Sequence, residues 1–272
     1  MHFRLFIATS MLAAAPVFAG PVASGFDKNF MPVGDDGATA AVSLGFNANF
    51  FGTTYADTYV GSNGFLTFNS GYGSYTPSGL GNGYSGQPII APFFADVDTR
   101  GAGNGRVSYG TGTYDGRAAF AATWRNVGYF NQRTDKLNTF QVILADRSDV
   151  AAGDFDIYFN YDAIQWESGS ASGGVDGLGG NSAAAGFNAG TGNAADTYLQ
   201  FTGSLVNGAL VDGGASSLAA GTNNGVTGQY LFSVRGGAIA APAINDVPEP
   251  AGLALFGVAL AGLMVQRRRA MR

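Results

Sequence analysis

Asp96 and Asp98 stand two residues apart in the run Ala95-Asp96-Val97-Asp98-Thr99-Arg100. On an extended strand residues i and i+2 project to the same side, so both carboxylates can be offered to one hard cation. With Asn104 and backbone carbonyls they form a candidate ligand set for a single Ca²⁺. The alternative is architectural. The two aspartates cap a turn beside Arg100, accepting backbone N–H groups, and replacing either then costs stability. No calcium loop of EF-hand spacing is present. Asp154 and Asp156, after Gly153, repeat the spacing; there Asp156 is expected on the solvated face of a strand whose apolar face carries Phe155 and Ile157.

Other chemistry is narrowed by what the chain lacks. His2 is the only histidine and there is no cysteine, so a Ser-His-Asp or Cys-His nucleophile and a zinc centre with imidazole or thiolate ligands are excluded for a chain that loses its first residues. No disulfide braces the fold. Glycoside hydrolysis needs two carboxylates across a sugar cleft, one with a raised pKa. Outside the last segment the only glutamate is Glu167, which makes it the one Glu available as a general acid. No catalytic residue is assigned. Aromatic residues offer a second kind of site: Tyr72, Tyr75 and Tyr84 lie among Gly and Ser, and Trp166, with Trp124, Tyr129 and Phe130, can stack on sugar rings or serve as core. These tyrosines are expected on an exposed, adaptable loop.

The elements that position these residues read as all-β. Thr, Asn, Tyr, Phe and the 43 glycines dominate, while Glu and Lys are scarce. Thr58-Tyr59-Val60 and Phe65-Leu66-Thr67-Phe68 flank Gly61-Ser62-Asn63-Gly64, a hairpin whose Asn-Gly step tolerates positive φ. Further strands are predicted at 106–109, 118–127, 139–146, 154–161, 197–201 and 229–235, with Phe140, Val142 and Leu144 sharing one face. Residues 168–181 and 203–228 read as loops of low complexity without packed structure.

Both ends carry transport signals. His2 and Arg4 precede an apolar run to Val17, and small residues end it, which predicts a signal peptide over 1–19 cleaved between Ala19 and Gly20. Val247-Pro248-Glu249-Pro250 precedes an almost uncharged stretch over 251–265, expected to form a transmembrane helix, and then Arg267, Arg268, Arg269 and Arg272. Between lie one β-sandwich-like domain, 20–235, and a linker, 236–246. Setting aside Arg4 and the four terminal arginines from 14 basic residues leaves 9 against 19 acidic, a net charge of −10. That balance argues against nucleic-acid binding.

The tail, with its Pro-Glu-Pro motif, apolar helix and Arg cluster, resembles the PEP-CTERM sorting signal. The resemblance implies an exosortase as processing partner in the inner membrane of a Gram-negative-type bacterium, transient residence there, and release or attachment at the cell surface or in an exopolysaccharide matrix. The segment Ile89–Arg100 resembles the signature of the NIDO (nidogen-like extracellular) domain. Tyr59–Phe68, Ala122–Phe130, Asn138–Leu144, Asp154–Trp166 and Ala185–Gly190 are similar to further blocks in the same order, best matched over 46–190, and Asn224–Phe232 resembles the closing strand. This resemblance implies a non-catalytic role in adhesion or matrix assembly, with no cofactor beyond the Ca²⁺ considered above. A carbohydrate-binding module and a polysaccharide hydrolase remain the alternatives.

Overall fold

Alternating β-branched and aromatic residues between Gly, Asn and Asp turns build two antiparallel sheets. The structure, a computed structural model, describes residues 21–192 and 196–240. The strands are β1 (Asn29–Phe30), β2 (Val42–Phe50), β3 (Thr53–Gly61), β4 (Phe65–Thr67), β5 (Ile89–Phe94), β6 (Val97–Asp98) and β7 (Val107–Tyr114). They continue with β8 (Arg117–Tyr129), β9 (Arg133–Asp146), β10 (Phe155–Ala163), β11 (Ala184–Asn188), β12 (Tyr198–Gln200), β13 (Gln229–Arg235) and β14 (Ala238–Ile239). One sheet runs β1-β7-β8-β9-β10-β13-β14 with β6 on β8, and the other β12-β11-β5-β4-β3-β2. The fold is an all-β sandwich, and no α-helix occurs among the described residues.

Between the sheets the expected faces meet. Phe140, Val142 and Leu144 of β9 and Phe155, Ile157 and Phe159 of β10 pack with Val60, Leu66, Ile90, Phe93 and Phe187 of the second sheet. Trp124 stacks on Phe140 with centroids 5.1 Å apart, and Trp166 meets Phe93 edge-on at 5.9 Å. Burial of one such side chain contributes about 1.5–3 kcal/mol, which is how a chain without cysteine holds this fold. The predicted hairpin forms, with Gly61 opposite Phe65. At Gly64 φ is +84°, and a Cβ there would lie 1.7 Å from the Phe93 carbonyl oxygen, so glycine is needed for both the turn and the close approach.

Neither outer face meets water as a simple polar surface. On the first sheet Ala119, Ala121, Ile143, Ala145 and Tyr158 are covered by Phe26, with Ala23 alongside. Polar residues beneath are satisfied side chain to side chain: Gln229 Nε2 donates to Asn160, Asn160 Nδ2 to Gln141, and Gln141 Nε2 to Thr123 at 2.8–3.0 Å. Asp156 is therefore buried, 3% exposed, and is not the solvated residue expected. On the second sheet Phe65, Ile89, Ala91, Phe94 and Ala184 are covered by Leu80 and Tyr84, with Tyr72 against them.

Two expected boundaries shift. The stretch 203–228 forms no strand, yet it is packed: Leu210 and Leu218 enter the main core, and Asp212 N donates to Ile164 O at 2.7 Å. Turn hydrogen bonds replace regular structure there, which composition alone does not report. The stretch expected to be a linker from 236 begins with β14 paired to β13. Residues 1–20, 193–195 and 241–272 lie outside the described residues, and with them the signal peptide, the Ala19–Gly20 cleavage site, the rest of the linker, Val247–Pro250, the apolar stretch 251–265 and Arg267–Arg269. Among the described residues no helix is long and apolar enough to cross a membrane.

Candidate functional site

Strand β5 is buried on both sides and ends at Phe94, where the chain turns through Ala95 and Asp96 into β6. The backbone polar groups released at that turn must find partners, and Asn63 of the hairpin supplies them. Its Oδ1 accepts from Val97 N at 2.9 Å, and its main-chain oxygen accepts from Ala95 N at 3.2 Å. Its Nδ2 donates to Asp36 Oδ1 at 2.9 Å and to Ser74 O at 3.1 Å. Ser62 adds a second fastening: its hydroxyl donates to Asp35 O and accepts from Gly37 N at 2.9 Å. Thr99 and Gly34 exchange further bonds at 2.8–2.9 Å. Three separate stretches, 34–37, 62–64 and 95–99, thus converge.

Asp96 and Asp98 do not share one role there. Asp98 is fully buried: Oδ1 accepts from Arg100 N and Nε, both at 2.9 Å, and Oδ2 from Arg100 Nη2 at 2.7 Å and Gln132 N at 2.8 Å. Burial, the largest influence, pushes its carboxyl up, but the donors from Arg100 and Gln132 together hold it below the usual carboxylate range. The capping role expected of both aspartates belongs to Asp98. Asn104 donates Nδ2 to the Asp98 carbonyl at 2.6 Å and so braces the backbone beside that cap.

Asp96 is 1% exposed, and its Oδ2 is buried with no hydrogen-bond partner. Gly169 leaves room for that oxygen, since a Cβ there would lie 2.4 Å from it. Asp96 gathers instead with Asp35 and Asp36, one oxygen from each lying within 4.8 Å of the others. Asp35 Oδ2 accepts from Arg100 Nη2 at 2.8 Å, while its Oδ1 is buried and unpartnered. Burial, then the charges of Asp35, Asp36 and Asp98, push the Asp96 carboxyl up to about 7 against the weaker pull of Arg100. Burial and the neighbouring Asp98 and Asp36 push Asp35 up to about 6. Sequence spacing could not find Asp35 and Asp36, which lie about sixty residues before Asp96; the adjacent pair in Gly34-Asp35-Asp36-Gly37 was their one local signal.

The remaining candidates separate by burial. Trp166 is fully buried with Nε1 donating to Val127 O at 3.0 Å, and Trp124 likewise with Nε1 donating to Ser62 O at 2.8 Å, so neither presents a face to a ligand. Tyr84 is 8% exposed, donates to Gln87 O at 2.8 Å and caps the outer face of the second sheet, and Tyr72 is half-buried against Phe65. Both are corrections of the exposed loop expected: β5 is apolar on both sides, and the 70–88 stretch is what keeps water from its outer side. Tyr75 stays exposed. Glu167 is fully buried, its oxygens accepting from Gly208 N at 2.7 Å and Leu210 N at 2.6 Å. Burial raises its pKa against those donors, and it anchors the packed loop. Asp156 is clamped by Arg147 at 2.8 Å and Arg235 at 2.6 Å, and Asp154 accepts from Gly236 N at 2.7 Å.

Comparison with known proteins bears on the whole chain. The PEP-CTERM protein-sorting motif matches residues 246–269 and implies processing by exosortase. Human alpha-tectorin is 32% identical over 184 residues, 58% of this chain and 8% of that protein. Chicken alpha-tectorin is 30% identical over 250 residues, covering 83% of this chain and 11% of its own. Nidogen of Drosophila melanogaster is 33% identical over 138 residues, 43% of this chain and 10% of its own. The chain thus spans about a tenth of the length of these relatives. No solved structure matches it significantly. Sorting motif and relatives together support export to the cell surface or matrix. The nidogen-like domain matches residues 56–236, from within β3 to the end of β13, and on that span the chain belongs to the nidogen-like domain family.

Proposed function

We propose that the protein is a non-catalytic adhesive or assembly element of an exopolysaccharide matrix, processed by exosortase on its way to the surface. The observation that carries this reading is the union, in one chain, of a nidogen-like domain and a PEP-CTERM motif. Geometry supports it by what the candidate acids do. Glu167 is spent on backbone donors inside the fold, and of two surface cavities, about 560 and 320 Å³, the first is lined by no carboxylate and the second by Asp176 alone. A glycosidase pair across a cleft is the arrangement required for hydrolysis.

A deletion strain compared with its parent for matrix retention and surface attachment tests the reading. Loss of either, restored by the full chain, is the expected result. Unchanged matrix and attachment, with the protein present at the parent's surface, would remove it. The larger cavity favours a second reading, a carbohydrate-binding module, because Phe201, Tyr230 and Phe232 line it and sugar rings stack on aromatic faces. Glycan retention by the full chain that is lost in Tyr230→Ala would favour that module.

A further inference from the structure

We propose that Asp35, Asp36 and Asp96 form a calcium site that ties the 34–37 stretch to the turn leading into β6. The argument starts from a buried carboxylate without a partner. Taking an ionised carboxylate out of water is costly unless a cation or several donors compensate, and proteins seldom leave such an oxygen unpaired. Asp96 is 1% exposed, no described residue donates to its Oδ2, and the described residues give it no ion pair. Asp35 Oδ1 is a second buried, unpartnered oxygen in the same cluster.

The chain's own cation does not answer this need. Arg100 is committed to the neighbouring carboxylates, with Nε on Asp98 and Nη2 shared between Asp98 and Asp35. Four aspartates therefore face a single guanidinium. Apart from a proton, an added cation is what would neutralise the cluster, and the donor chemistry says which kind. All the side-chain donors are hard oxygens, and three of them lie within 4.8 Å of one another, about the widest separation of two ligands on one ion at Ca–O distances near 2.4 Å. Mg²⁺ dehydrates reluctantly and is usually held through one or two carboxylates, fewer than the three gathered here. Asp36 is exposed, which gives the ion an entrance and room for water in its shell. An exported protein meets calcium at concentrations suited to the weak sites of extracellular modules, with Kd of about 0.1–1 mM. The set differs from the one the local spacing suggests, since Asp98 is bonded to Arg100 and the buried, unpartnered Oδ1 of Asn104 lies against Gly128.

The test is calcium titration of the chelator-stripped full chain in detergent, by calorimetry and by terbium luminescence. Trp124, whose indole donates to Ser62 O beside the site, serves as the sensitiser. One Ca²⁺ per chain is expected, with affinity reduced on the order of tenfold or more in Asp36→Asn and in Asp96→Asn, because ligand charge sets calcium affinity. The exposed Asp57→Asn variant should bind like the parent. Asp36 is at the surface, so its variant keeps the test decisive even where Asp96→Asn alters folding. Absence of stoichiometric binding, binding unchanged in a folded Asp36→Asn, or equal competition by Mg²⁺ would overturn the proposal.

Discussion

Two Asp-x-Asp pairs of identical spacing meet opposite fates. At the start of β10, Asp154 accepts from the Gly236 amide and Asp156 lies between two arginines. Where β5 turns into β6, Asp98 accepts four bonds from Arg100 and Gln132, and the buried Oδ2 of Asp96 accepts none. Both pairs are buried, so burial is not the difference. The number of cations the fold delivers is. Strands β9 and β13 flank β10 and bring Arg147 and Arg235 from both sides, whereas the 34–37 stretch brings two more acids to Asp96. A spacing motif tells where carboxylates point, and its neighbours in the sheet tell what they do.

The largest effect should follow from breaking the saturated pair. Asp156→Ala leaves two half-buried guanidinium groups without their shared carboxylate and should cost roughly 3–5 kcal/mol, the usual penalty for removing one side of a buried ion pair. Denaturant unfolding measures it, and a loss below about 1 kcal/mol would erase the contrast. Asp98→Ala comes next, at about 3 kcal/mol, because charge-assisted bonds to Arg100 and the Gln132 amide are lost together.

The unsaturated pair should show itself through pH. In chelator, burial and the neighbouring acids hold the folded Asp96 carboxyl up at about 7 and Asp35 at about 6, against 3.8 for a free aspartate side chain. Between these values the unfolded chain is ionised while the folded one still holds its protons, so the unfolded state binds fewer protons and stability falls as pH rises. From pH 5 to pH 8 the calcium-free protein should lose roughly 2–3 kcal/mol through Asp96 alone, at about 1.4 kcal/mol per unit. Asp96→Asn should reduce that fall, and a flat profile in the parent would sink the contrast. The smallest effect belongs to the exposed Tyr75: Tyr75→Ala should change stability by no more than about 0.5 kcal/mol, measured in the same denaturant series.

Sheet composition and the hairpin were legible because β3, β4 and β8 to β10 carry aromatic and β-branched residues around clear turn signals. Strand β2 alternates apolar Val42, Leu44, Phe46, Ala48 and Phe50 with Ser, Gly and Asn and so carries a strand signal that went unused, whereas β11 is Ala-Ala-Gly-Phe-Asn and shows no such alternation. Half of the candidate site was legible, since Asp96 follows an apolar run that ends abruptly. Its partners were not, because only the closing of the sandwich brings Asp35 and Asp36 to it. Tyr72 and Tyr84 were misplaced for a related reason: a Gly/Ser-rich context suggests exposure, while the doubly apolar β5 demands a cover that local composition does not announce.

Asn63 holds the Asp36 side chain and the Val97 amide across separations of 27 and 34 residues. Contacts that close loops of this length cost chain entropy before they return anything, so the convergence of 34–37, 62–64 and 95–99 is expected to complete after the hairpin and the β8–β9 pair have formed. An interaction absent from the folding transition state acts on the unfolding limb alone. Calcium at this place should therefore lengthen the native lifetime of an exported protein while leaving its folding rate where it was.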